Sequence, residues 1–386
     1  MARLRFPQSF AGVEPKAESA VGRRIAFVTP QHFGADGYIG GGERYPLNLA
    51  RGLLAADPSL QIDLIATGDP RDALLEPGLT IRVLPISDRG ATAHDDVSAA
   101  LAGALGDADL VHVHQAFLRP SMVAILVAKF LGKPVVVTDH GAGAPDVERV
   151  VGYSQLVDLF VFQSRFAAGC IAGGRRRCTI PGGVDDRFFR PPTEPRERGY
   201  ILCVARLVAF KGIDRLICAV PADVPLVVVG RSHYPYDPGY AGYLRALAGG
   251  RDVRFVEDAD DLTLRELYQG AWASVTPSVQ LDVYGHAYEK APELMGIAAL
   301  ESMACGTPTL VSPTGALPEF VRDGETGFVC DGLAELGARC TALASGELDS
   351  GRLGAAARAL VEAEYSIDVV GRKLLGAYDE LLEGSA

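Results

Sequence analysis

The sequence predicts an α/β protein made of two doubly wound domains, each a parallel sheet covered by helices. Three observations predict it. Short β-rich runs alternate with amphipathic helical stretches along the chain, the pattern of parallel strands joined by crossover helices. Residues 190–199, "RPPTEPRERG", are rich in Pro and charge and poor in apolar side chains, and read as a linker. The chain also has 386 residues, more than one core usually serves at roughly 150 residues per domain.

In the first half, strands are expected at "RIAFVT", "QIDLIA", "TIRVLP", "LVHVH", "PVVVT", "LFVFQ" and "CTIP", with helices over 43–54 and 122–131. In the second half, strands are expected at "ILCVA", "PLVVVG", "VRFV", "ASVTPS", "PTLVS" and "TGFVC". The closing "SIDVVGRKLLGAYDELLEG" has Val369, Val370, Leu374, Leu375, Tyr378 and Leu381 at helical spacing and reads as a terminal helix. The expected domains are 1–190 and 191–365, with a helix over 366–386 that packs back on the first domain. Doubly wound sheets bind ligands at the carboxyl ends of their strands, so a cleft between the domains is the expected site.

Composition excludes several classes. Hydrophobic residues make up 48% and charged residues 22%, an ordinary globular balance. The net charge is −11 and comes wholly from the second half: residues 1–190 hold 20 basic and 20 acidic side chains, residues 191–386 hold 17 and 28. That argues against nucleic acid as a partner, and Arg175–Arg177 reads as a solvated turn. Seven cysteines, odd in number and without a C-x-x-C pair, point away from a disulfide framework or metal ligation and toward a reducing cytoplasm. No secretory signal is expected at the start, and "PSMVAILVAKFLGKPVVV" is broken by Lys129 and Lys133, so no transmembrane segment is expected, a reading compatible with peripheral membrane contact.

The most informative stretch is "PELMGIAALESMACGTPTLV". Pro292 and Gly296 disfavour helix across Glu293, whereas 297–305 is helix-prone and stops at Gly306. Glu293 then lies in a loop at the helix mouth and Glu301 within the helix, flanked by Leu300. Free amides of Met295, Gly296 and Ile297 would make an anion site. A nucleotide there would place its ribose near Glu301 and its other substituent near Glu293, because an ionised carboxylate is a pure acceptor that suits vicinal hydroxyls. The plainer reading is a helix-start acid at 293 and a snorkelling surface residue at 301.

Glu293 to Glu301, followed by "SMACGTP", resembles the E-x7-E element of retaining GT-B glycosyltransferases of the kind grouped as family 4. "ILCVARLVAFKGIDRLICA", "LYQGAWASVTPS" and "SPTGALPEFVRDGETGFV" resemble the family's second domain; "GGGERYPLNLARGL", "DLVHVHQ" and "IPGGVDDRFFRP" resemble its first. The resemblance covers nearly the whole chain. Departures are Gly182 for a usual Asn, Trp272 for a usual Asp, and Glu257, near the expected base pocket, for a frequent glycine. "VQLDVYGHAYEKA", before Glu293, is longer than the family's minimal loop.

The resemblance implies a GT-B fold, two Rossmann-like domains facing a central cleft with the C-terminal helix crossing back to the first. It implies a retaining hexosyltransferase that moves a sugar from a nucleotide diphosphate donor, a UDP-sugar first, to an acceptor hydroxyl of unknown class, with no metal and no cofactor. Arg206, Lys211, Glu293 and His114 become the expected catalytic residues. Gly41, Gly42, Gly230, Val256, Met295, Gly296, Ile297, Leu300 and Glu301 become the donor side, and His32, Tyr38 and His140 the acceptor side. His112 and His114 share a strand, where alternation is expected to turn one of them toward the core and the other away. Asp258-Ala259-Asp260 imitates a metal-binding D-x-D but reads as a helix N-cap region. Rival readings are a nucleotide-sugar epimerase or hydrolase on the same fold and a non-catalytic sugar-nucleotide-binding protein. A dinucleotide oxidoreductase lacks its G-x-G-x-x-G after a strand.

Overall fold

The computed structural model describes residues 2–3, 22–29, 38–141, 152–232, 239–288 and 293–384. The chain divides into two compact units: the first comprises Leu4–Gln163, Ala168–Gly183 and Val370–Ala386, the second Met1–Arg3, Ser164–Ala167 and Val184–Val369. The chain enters the second unit at Val184, ahead of the Pro-rich stretch. There the Val184 amide donates to the Tyr365 carbonyl at 2.8 Å and its own carbonyl accepts from Ile367 at 3.1 Å. Residues 190–199 run along the second unit, pinned by the Arg198 guanidinium, which donates to Ala271 O (2.8 Å), Thr307 Oγ1 (3.0 Å) and Gly306 O (2.7 Å).

The first unit is built on an eight-stranded sheet. Its strands are β1 (Arg24–Val28), β2 (Gln61–Gly68), β3 (Arg71–Glu76), β4 (Leu79–Pro85), β5 (Leu110–His114), β6 (Val135–Thr138), β7 (Leu159–Phe162) and β8 (Arg177–Thr179). Their order is β8-β7-β6-β5-β1-β2-β4-β3, parallel except for the β3–β4 hairpin. The runs VVVT and LFVF are buried throughout, as strands covered on both faces must be. Helix α1 (Gly41–Ala56) follows the glycine run and α2 (Arg119–Phe130) follows β5.

The second unit has six parallel strands, β9 (Tyr200–Val204), β10 (Leu226–Val229), β11 (Val253–Val256), β12 (Ala271–Thr276), β13 (Thr309–Val311) and β14 (Gly327–Val329). Their order, β11-β10-β9-β12-β13-β14, is the 3-2-1-4-5-6 arrangement of the Rossmann fold. Helices α3 (Ile213–Ala219) and α6 (Leu333–Ala344) bury Ile213, Leu216, Leu336 and Cys340 in one core cluster; α4 (Asp261–Gln269) and α5 (Ile297–Ala304) bury Leu264, Tyr268, Leu300 and Met303 in the other. Strand order reverses between β9 and β12, and there an open α/β sheet leaves a crevice at its carboxyl edge. The last helix, α7 (Ile367–Glu383), belongs to the first unit from Val370 onward. A Cβ on its Gly371 would lie 2.0 Å from the Gly52 carbonyl oxygen of α1, so only glycine permits that packing.

Candidate active site

In the second unit the loops after β9 and β12 meet at the switch point. Gly212 has φ +63°, and a Cβ there would stand 2.1 Å from Pro277 O; the Val279 amide donates to Phe210 O at 2.9 Å. This close approach of two loops puts Lys211 beside Ser278. The Lys211 ammonium donates to Glu293 Oε1, and the Ser278 hydroxyl donates to the same oxygen at 2.5 Å. Both charged side chains are largely withdrawn from water, 16% exposed for Lys211 and 7% for Glu293. In such a place an ion pair is held by geometry and extra hydrogen bonds rather than by charge alone.

The backbone around the pair is fixed too. The Ser278 carbonyl accepts from Ser312 Oγ (2.5 Å) and Thr314 Oγ1 (2.9 Å), the Glu293 carbonyl from the Ala316 amide (2.8 Å), and the Leu294 carbonyl from Ser164 Oγ (2.7 Å). Gly315, at φ +59°, admits the Glu293 carbonyl where a Cβ would be 2.2 Å away. Arg206 lies at the same strand end, its guanidinium 5.8 Å from the centre of the Phe210 ring, with the Lys211 ammonium 5.3 Å from that ring. Helix α5 starts after Gly296 with no side-chain cap, so no capping side chain takes its first-turn amides at the positive end of the helix dipole. Gly296 also answers to packing, since a Cβ would press Leu317 at 3.1 Å. Met295 is half-buried against the core, Ile297 is half-buried, and Leu300 is fully buried.

Glu301, inside α5, is 3% exposed, and its Oε2 accepts from the Tyr268 hydroxyl at 3.0 Å. The snorkelling alternative therefore fails for Glu301, and the helix-start alternative fits poorly with Glu293 buried on a lysine and a serine. Gly230 closes β10 against β9, where a Cβ would lie 1.8 Å from Ala205 O, and its amide donates to the Val256 carbonyl at 3.0 Å. Next to Val256, Glu257 pairs with Arg245, its carbonyl accepts from Arg231 Nε at 2.9 Å, and Arg231 also pairs with Asp258. Asp260 caps α4 through the Thr263 amide at 2.8 Å.

In the first unit, Gly40 caps α1 and its amide donates to Glu43 Oε2 at 2.8 Å, placing Gly41 and Gly42 in the first helical turn. His112 and His114 do not point to opposite faces as expected. Residues two apart on a strand share a face, and their rings stack 4.3 Å apart, 0% and 1% exposed. His112 bonds the Tyr378 hydroxyl at 2.6 Å through Nδ1 and Thr138 Oγ1 at 2.9 Å through Nε2. His140 lies parallel to His114 at 5.8 Å and against Tyr45 at 4.8 Å. Among the described residues neither ring nitrogen of His114 has a partner. Burial holds His112 down to about 3 and His140 down to about 4, and keeps His114 well below the ordinary histidine value, with the neighbouring histidines adding to the effect on His112 and His114. Gln115, directly after His114, has φ +63°, an uncommon backbone for a side-chain-bearing residue. His32 lies outside the described residues, and Tyr38 sits in the two-residue strand Tyr38–Ile39.

Sequence reasoning missed Ser278, Tyr268, Phe210 and Tyr378. Two of them stand in "LYQGAWASVTPS", where the motif itself was the available signal. The Arg175–Arg177 run is not a free turn: Arg177 stacks on Phe162 at 4.6 Å, and Arg176 donates to the Glu380 carbonyl at 2.8 Å.

Two α/β units with Rossmann-like parallel sheets are the architecture of GT-B glycosyltransferases. More closely, the chain belongs to the group 1, family 4-like glycosyltransferases: the model described as glycosyl transferases group 1 matches residues 184–358, and that described as Glycosyltransferase Family 4 matches residues 39–188. It is 28% identical over 376 residues to the D-inositol 3-phosphate glycosyltransferase of Salinispora arenicola, covering 80% of this chain and 81% of that one. It is 31% identical over 226 residues to a GDP-mannose-dependent α-(1-6)-phosphatidylinositol monomannoside mannosyltransferase of Mycolicibacterium smegmatis, covering 53% of this chain and 56% of that one. Among solved structures, Anabaena HepE in complex with UDP and glucose matches with a TM-score of 0.72 at 16% identity, over 93% of this chain and all of that one, a likeness of fold. No helix among the described residues is long and apolar enough to cross a membrane.

Proposed function

We propose that this glycosyltransferase moves a sugar from a nucleotide diphosphate sugar to an acceptor hydroxyl with retention of configuration, with the donor on the second domain and the acceptor on the first. The observation that carries the reading is the buried Lys211–Glu293–Ser278 cluster at the strand-order switch, beside the amino end of α5, which no side chain caps. The donor diphosphate lies at the amides of that end and is held by Arg206 and Lys211, whose charge meets the charge that grows on the leaving phosphate. Glu301, oriented by Tyr268, takes the ribose hydroxyls, and Glu293 takes the sugar hydroxyls. The bond from the anomeric carbon to the phosphate oxygen breaks while a bond to the acceptor oxygen forms on the same face, and the acceptor proton passes to the departing phosphate. His114 and His140, neutral by burial, line the acceptor side as hydrogen-bonding groups without charge.

UDP is the first donor to test and GDP the second, since HepE was crystallised with UDP and the Mycolicibacterium relative depends on GDP-mannose. A reducing cytoplasm suits the chain, whose seven cysteines are all free. Calorimetry on Glu301→Gln and Glu293→Gln with bare UDP or GDP tests the assignment. Glu301→Gln should weaken the nucleotide by about 1.5–3 kcal/mol, the range for a hydrogen bond to a charged group, and Glu293→Gln should leave it unchanged. With full donor and acceptor, Glu293→Gln should lower kcat. Equal weakening of bare nucleotide by both variants would sink the assignment. Donor consumed without acceptor would favour an epimerase or hydrolase.

A further inference from the structure

A cavity of about 320 Å³ lies where the Pro-rich stretch runs along helix α4 of the second unit. Arg190 and Arg196 line it from the stretch, and Arg265 and Gln269, one helical turn apart, line it from α4. Arg196 precedes β9, which starts at Tyr200, and Gln269 precedes β12, which starts at Ala271. The cavity therefore lies at the amino edge of the second sheet, whereas the loop that carries Lys211 leaves β9 at the carboxyl edge.

Its frame is stiff. Pro191, Pro192 and Pro195 fix φ along the stretch. The Gln269 side-chain amide donates to Arg190 O at 2.7 Å, and Arg198, further along, holds the same stretch to Ala271 O at 2.8 Å. Arg265 is half-buried, its guanidinium 4.9 Å from the centre of the Phe188 ring and donating to Phe188 O at 3.4 Å, which leaves most of its N–H donors for another acceptor. Arg190 and Arg196 are exposed.

Charge singles this cavity out. Elsewhere in the second unit Arg231, Arg245, Arg322, Arg339 and Arg358 each pair with a carboxylate. Among the described residues, Arg190, Arg196 and Arg265 pair with none. Acids are not scarce, for residues 191–386 hold 28 acidic against 17 basic side chains. Yet Glu194, exposed, is the only acid among the described residues that line the cavity. Like charges gathered round one concavity repel each other and focus a positive potential in it, an arrangement that a bound anion relieves.

We infer that this cavity binds a compact ligand through a phosphate group. Three guanidinium forks ask for more acceptor oxygens and more charge than one carboxylate supplies, and a phosphate offers both. Glu194 opposes such a ligand and lowers its affinity. The site is separate from the sugar-transfer reading, because it lies at the opposite edge of the sheet and is probed with neither donor nor acceptor present.

The experiment follows the Cζ resonances of isotope-labelled arginine in the full chain during titration with inorganic pyrophosphate. Arg190→Gln, Arg196→Gln and Arg265→Gln, all at exposed or half-buried positions, assign their resonances by removing one each; binding at Arg206 is read from its own. The three should shift together and saturate with one Kd below about 1 mM, and acetate should leave them in place. Each substitution should weaken pyrophosphate at the two remaining guanidiniums by about ten-fold, the order of one charge-assisted hydrogen bond, and Glu194→Gln should tighten it. A chain that sediments with phosphatidic acid vesicles and is released by pyrophosphate would assign the phosphate to a lipid headgroup. A chain that stays in solution would assign it to a soluble compound, and either result keeps the site. Resonances that do not saturate, substitutions that bind like the parent, acetate acting as pyrophosphate does, or a weaker ligand in Glu194→Gln would each overturn the inference.

Discussion

Ser278 shows how much of this site depends on one hydroxyl. It is fully buried, donates to Glu293 at 2.5 Å, and its carbonyl takes two further hydroxyls, so it locks the carboxylate while Lys211 balances its charge. Removing the hydroxyl leaves the Lys211 contact and costs one hydrogen bond, about 1 kcal/mol of stability. Its larger effect falls on positioning, because a carboxylate free to rotate meets the sugar in the right geometry less often. Ser278→Ala is therefore expected to lower kcat by about ten-fold with the Kd of bare nucleotide unchanged, and Ser278→Thr to recover part of the rate. Steady-state kinetics beside calorimetry checks this; a loss confined to nucleotide affinity would remove Ser278 from the sugar end. Neither clamp was legible in sequence, since Ser278 and Glu293 are 15 positions apart and Lys211 and Glu293 are 82. Only the fold brings such partners together.

At the scale of elements, the loop after β9 and the loop after β12 can meet only because residue 212 has no side chain. Gly212→Ala combines a left-handed backbone, φ +63°, with a Cβ 2.1 Å from Pro277 O. It should destabilise the second unit by roughly 1–3 kcal/mol or more and separate Lys211 from Ser278. Urea unfolding measures the first effect; a midpoint within error of the parent would show that the loops do not need this contact. Most strands were legible because runs such as "PLVVVG" and "PVVVT" are buried on both faces and carry β-branched residues in series. The edge strand β3, "RDALLE", was not, because its half-exposed residues show no such pattern and only the antiparallel partner β4 holds it. The helix over 297–304 and its stop at Gly306, φ +73°, followed from glycine and proline placement. The boundary at Val184 did not, because the bridge that ties Val184 to Ser366 joins segments far apart in the chain and has no sequence signature.

At the scale of the molecule, the two units differ in what acid does to them. The first unit buries His112 and His114 at 0% and 1% exposure beside Tyr45, Thr138, His140 and Tyr378, with no carboxylate bonded to either ring among the described residues. The folded protein keeps both rings neutral, His112 down to about 3 and His114 well below the ordinary value, whereas the unfolded chain protonates them near 6.5. Unfolding therefore takes up protons below that value. Stability is complete above pH 6.5 and declines as the pH falls, by about 1.4 kcal/mol per pH unit for each histidine, until the folded pKa is reached. Between pH 6.5 and 5 this is a loss on the order of 2 kcal/mol per histidine, in a window that lies above the carboxylate range. In the second unit, His286 is exposed rather than buried. Hydrogen exchange at pH 6.5 and pH 5, corrected for the intrinsic rate, should show protection falling in β5 and β6 of the first unit while β9 and β12 of the second hold theirs. Proton NMR of the imidazoles should find the His112 and His114 resonances flat across that range. Imidazoles that titrate near 6.5 in the folded protein, or an equal loss of protection in both units, would mean that this histidine stack is open to water and that the neutral acceptor side proposed for the enzyme is wrong.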